Sequence, residues 1–201
     1  MRRRLGHSLS LTALAAVTLA AFTSAASAHI GDHSHMSLVE GLTHPFTGID
    51  HLLAMVAVGL WAAQLGGRAL WLLPATFPLA MAAGAALGFG GAPLPSVEIG
   101  IAASVLVLGA AVATKARPSL AVSVPLIGAF AVLHGYSHGV ELPASASALT
   151  YAAGFIAATA VLHLIGIGLG LAAARLPVQF VARTAGGAIA MVGLALLVMP
   201  H

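Results

Sequence analysis

Six apolar stretches, most of them about twenty residues long, fill the chain between Phe46 and Met199. Each is long enough to cross a hydrocarbon layer of ~30 Å as a helix. They run from about 46 to 65, 69 to 89, 97 to 114, 119 to 136, 149 to 174 and 178 to 199. Only 6% of the 201 residues are charged and 60% are hydrophobic, where a soluble domain carries about 25% charge. Such a chain cannot cover a water-facing surface. The fold class expected is therefore an all-α membrane protein with six transmembrane helices in contact with the lipid bilayer.

The first residues differ from the rest. Arg2, Arg3 and Arg4 precede an apolar run from Leu9 to Phe22, which ends in the small residues Thr-Ser-Ala-Ala-Ser-Ala. A basic start, a short apolar middle and a small-residue cut site describe a cleavable secretory signal peptide, residues 1–28. Cleavage after Ala28 would leave residues 29–45 as a histidine-rich periplasmic segment and 46–201 as a six-helix transmembrane domain. It would also remove three arginines, leaving five basic residues against five acidic ones. A neutral mature chain gives no footing to a nucleic-acid partner.

The polar residues that remain are concentrated in a few places. There is no cysteine, so any metal site must use nitrogen and oxygen ligands. The mature chain would open His29-Ile-Gly-Asp-His33-Ser-His35, and a histidine at the terminus offers its amine and ring nitrogen together. His44, Asp50 and His51 lie at the mouth of the first span. The expectation is a helix from Phe46 with Pro45 in its first turn, His44 above His51 on one face if the helix reaches back that far, and Gly48 allowing close approach of another backbone. His134 and His138 are four residues apart, so both rings point the same way from one helix, and Glu141 follows three residues later. Glu98 begins the third span. His163 lies near the middle of the fifth, with Thr159 one turn before it; an ionisable group at that depth needs a cavity or a partner.

Alternating six spans from an external N-terminus puts Arg68, Lys115, Arg117 and Arg175 on the cytoplasmic side, with Arg183 close by, as the positive-inside bias requires. The same alternation brings the His44–His51 group, the His134–Glu141 group, Glu98 and the histidine-rich segment to one outer vestibule, with His163 below it. Several histidines with carboxylates and no thiol suit nickel, cobalt, zinc or copper(II); magnesium and calcium prefer all-oxygen sites.

The run HPFTGIDHLLAMVAVGLWA and the later HGYSHGVELP resemble the HupE/UreJ family of nickel permeases across essentially the whole chain. The resemblance implies a secondary transporter for Ni2+, with Co2+ as the second candidate, in the bacterial inner membrane. Such a protein would supply hydrogenase or urease maturation. It carries His44, Asp50, His51, His134, His138 and Glu141 as motif positions; Glu98, His163, His29, His33 and His35 are added from topology and chemistry. The metal is cargo, no resident cofactor is expected, and no enzymatic activity is expected. The sequence carries no signal for an oligomeric state. The leading alternative is a membrane-embedded zinc-dependent hydrolase, in which histidines and an aspartate would hold zinc and activate water. A haem-binding electron carrier and a metal-binding receptor are weaker alternatives.

Overall fold

The computed structural model describes residues 37–142, 147–175 and 180–199. The signal-peptide segment and His29, His33 and His35 lie outside the described residues. Among those described the protein is all helical: α1 (Ser37–Thr47), α2 (Ile49–Leu65), α3 (Ala69–Phe89), α4 (Val97–Thr114), α5 (Leu120–Glu141), α6 (Ala148–Arg175) and α7 (Phe180–Val198). Helices α3 to α7 are each long and apolar enough to cross a membrane; α1 and α2 together make the sixth candidate, bent by 83°.

That bend departs from the continuous first span expected from Phe46. Pro45 sits near the end of α1 rather than at the start of α2. Gly48 between the helices is extended, at φ −87° and ψ 112°. Two features end α1: the Thr47 hydroxyl donates to the His44 carbonyl at 2.8 Å, and Pro45 has no amide hydrogen to give to the turn before it. His44 therefore does not stack above His51 on one helix; it reaches the site from a different direction. Gly48 is a joint rather than a close-approach point, since a Cβ there would meet its own neighbours, Asp50 Oδ1 at 3.0 Å and His51 Nδ1 at 3.3 Å.

Helix α2 has 17 residues, or about 25 Å of rise, slightly short of a hydrocarbon layer. It does not need to match lipid, because other helices enclose it. Ala54, Met55, Ala57, Val58, Leu60, Trp61 and Ala62 are all buried, and α1, α3, α4, α6 and α7 all touch it. Outward-facing Trp71, Leu79, Leu149, Met191 and Val198 are exposed, the apolar surface a bilayer would cover.

Three close helix pairs set the direction of the bundle. On α3 and α5, Gly84 meets the Val132 carbonyl and Gly88 meets that of Tyr136, so these helices run parallel. On α2 and α6, Gly59 meets the His163 carbonyl and Gly170 meets Ala63, again parallel. On α4 and α7, Gly109 meets Ala190 and Gly193 meets Leu106, hence antiparallel. Small residues at these crossings let backbones touch where lipid supplies no hydrophobic drive. All three directions agree with a chain that reverses at every turn. The starts of α2, α4 and α6 and the ends of α3, α5 and α7 then share one end of the bundle.

Every lysine and arginine among the described residues is at the other end. Arg68 follows the Gly66–Gly67 turn, whose glycines have φ +71° and +52°. Lys115 and Arg117 follow α4, Arg175 closes α6, and Arg183 in the first turn of α7 donates to the Ala113 carbonyl at 3.0 Å. Trp61 Nε1 donates to the Ala116 carbonyl at 2.9 Å, tying the end of α2 to the same loop.

Candidate metal centre

The acidic and histidine-bearing end is built from three helices. Asp50 and His51 lie in the first turn of α2, where a carboxylate favours the positive helix end. Asp50 Oδ1 accepts the backbone N–H of His51 at 2.7 Å and lies 2.8 Å from His51 Nδ1. Helix α5 is longer than expected: it continues past Tyr136 to Glu141, so His134 and His138 both project from it one turn apart. His44 comes from α1.

These rings form one cluster. The His51 centroid lies 4.4 Å from that of His134 and 4.3 Å from that of His138; His44 lies 4.7 Å from His138. Ligand atoms of His44, His138 and Glu141 all lie within 4.8 Å of one another. Phe155 of α6 closes one side, 4.3 Å from His138. An apolar cleft of about 320 Å³ between α3, α5 and α6 opens beside His138. Exposure falls along the cluster, from the exposed Glu141 and half-buried His44 to His51 at 6% and His138 at 5%, then to His134 at 0%.

Hydrogen bonds set the tautomers of the two inner rings. The Asp50 carboxylate can only accept, so His51 Nδ1 carries the proton and, in the neutral ring, Nε2 is a bare lone pair. The Ser104 hydroxyl donates to the Ile101 carbonyl at 2.6 Å. Its oxygen therefore accepts from His134 Nε2, 2.8 Å away, which leaves Nδ1 of His134 bare. Both bare nitrogens are buried without a hydrogen-bond partner, as are both ring nitrogens of His138. Buried acceptors left unpaired cost about 1–3 kcal/mol each. Several such lone pairs in touching rings call for an electron-pair acceptor. With neutral imidazoles, Asp50 and Glu141 give the cluster two negative charges, the complement of a divalent cation.

The other expected residues lie elsewhere. Glu98 is exposed in the first turn of α4; it shares the end of the bundle but none of the contacts that join the cluster. His163 is buried in α6 and is joined to the cluster through Phe77, whose ring lies 5.4 Å from His163 and 5.6 Å from His134. Ser104 and Phe155 were not among the expected site residues. A hydroxyl in the middle of the apolar third span was the available sign of Ser104.

A family model described as HupE / UreJ protein matches residues 16–196. The chain is 48% identical over 192 residues to Protein HupE of Rhizobium leguminosarum bv. viciae, covering 96% of this chain and 98% of that protein. No solved structure matches significantly.

Proposed function

We propose that this chain, which belongs to the HupE/UreJ family, is a secondary permease that imports Ni2+, with Co2+ as the alternative cargo, across the bacterial inner membrane. The observation that carries this reading is the pair of bare, tautomer-fixed nitrogens, His51 Nε2 and His134 Nδ1, in touching buried rings. Glu141 and His44 form the exposed mouth, with the buried His138 just behind them, where an ion exchanges water for imidazole. His51 and His134 take it further, and Asp50 holds His51 in the receptive tautomer. His29, His33 and His35 gather ions ahead of the mouth in a periplasmic segment left by signal cleavage.

The arrangement of charge supports the direction. The basic end is the cytoplasmic one by the positive-inside bias, so the histidine end faces the periplasm. A dication moving toward a negative interior gains about 4.6 kcal/mol per 100 mV, twice the single-charge value; import needs no nucleotide. The imported ion supplies hydrogenase or urease maturation. The zinc hydrolase alternative draws no support, because the cleft beside His138 is lined almost wholly by apolar side chains and offers few groups to orient a polar substrate.

Uptake of labelled nickel into nickel-starved cells expressing the protein tests this. Saturable uptake displaced by excess cobalt more strongly than by zinc or copper is the expected result. Zinc displacing the label better than unlabelled nickel would overturn the assigned cargo.

A further inference from the structure

Below the entrance cluster, α6 buries two polar side chains one turn apart, each without a hydrogen-bond partner. His163 is 1% exposed, with both ring nitrogens unpaired; Thr159 is 0% exposed, with its hydroxyl unpaired. A helical threonine ordinarily donates to the carbonyl one turn back, as Thr76 does to Leu72 at 2.6 Å. Thr159 does not. The facing wall is α3, where Pro78 has no N–H and so leaves the Pro74 carbonyl without its helical donor. That same carbonyl faces the His163 ring, beside Phe77 of α3, whose ring lies 5.4 Å from it.

The imidazole and the hydroxyl thus lie one turn apart on α6, both buried, and the released carbonyl faces the imidazole. Packing alone does not account for them. Leaving ring nitrogens and a hydroxyl unpaired in hydrocarbon is costly, and an apolar residue would fill the space without that cost. Phe77, itself fully buried, stands between this group and His134.

We propose that His163, Thr159 and the Pro74 carbonyl form a second, inner cation site, which receives the dehydrated divalent ion after it passes Phe77. The identity of the cargo rests on the permease reading above. The donor set is poorer in nitrogen than the entrance, so it holds the ion more weakly. A station that releases its ion onward needs that property.

The test is equilibrium dialysis of the purified full-length protein against Ni2+, with Co2+ absorption spectra as a second probe, alongside whole-cell uptake. His163→Ala is expected to bind one ion fewer per chain than the parent. Its maximal uptake rate should fall by about tenfold or more, the scale of losing a metal-site contact, with KM little changed. Thr159→Val, nearly isosteric, should lower the rate in the same way and carries the test if His163→Ala does not fold. Parental stoichiometry, Co2+ spectrum and uptake rate in both variants would overturn the inner site and leave the permease reading untouched. Failure of cells expressing the parent protein to take up labelled nickel above background would instead overturn the permease reading.

Discussion

Cells carrying His51→Ala are expected to take up labelled nickel at the background rate, at least about 100-fold below the parent, with the variant present in the membrane in normal amount. The expected size follows from position. His51 is the ring that touches both His134 and His138, so removing it leaves the remaining rings without a bridge. Loss of groups one step removed from a metal already costs 10–100-fold in affinity, and a direct ligand costs more. Ser104→Ala should therefore fall between His51→Ala and the parent. It removes no ligand, but it frees His134 to rotate and to place its proton on the nitrogen that should stay bare. Dose–response curves for nickel uptake read both variants. Equal effects of the two would mean that Ser104 does more than orient a ring.

The second large effect is on assembly. Gly135→Val should disrupt the packing of α5 on α3 and with it the site. Even a methyl at Gly135 would overlap the Met81 carbonyl, and one at Gly139 would overlap that of Ala85. A backbone carbonyl cannot turn aside as a side chain can, so the helices must separate. Overpacking costs about 1–3 kcal/mol where side chains can adjust, and this position sits at or beyond the upper end. Gly135 lies next to His134 on α5, so separation also spreads the histidine cluster. Gly128→Ala on the same helix pair is the control: its nearest neighbours are Thr76 Cγ2 at 3.7 Å and Ala80 Cβ at 4.0 Å, which is ordinary contact. Thermal unfolding in detergent should show a marked drop for Gly135→Val and almost none for Gly128→Ala. Similar curves for the two would contradict the packing described.

Much of this architecture was legible in the sequence because hydrocarbon imposes simple rules. Apolar length alone located α3 and α4 over the ranges later found, and helix alternation put His51 and His138 at one end before any contact was known. The break at Gly48 was hidden because Pro45 suits a first turn as well as a last one. The i, i+4 spacing of His134 and His138 announced a shared face. Their partners across the bundle left no such mark: Ser104 is thirty positions from His134, and no periodicity joins them. Glu98 marks the limit of topological reasoning. Sharing an end of the bundle is a weaker condition than sharing a pocket, and an exposed first-turn carboxylate already has a sufficient role at a positive helix end. Asp50 was legible as a polar residue at the helix mouth, but its use in fixing the His51 tautomer required the 2.8 Å contact.

X-ray absorption at the nickel edge, on purified protein with a single equivalent of Ni2+, tests most directly whether rings carried on α1, α2 and α5 bind one cation together. The expected spectrum has imidazole scattering from at least two histidines, and that signal weakens in His51→Ala and in His138→Ala. A nickel shell made only of oxygen, or an imidazole signal unchanged by both substitutions, would contradict a shared site at this end of the bundle.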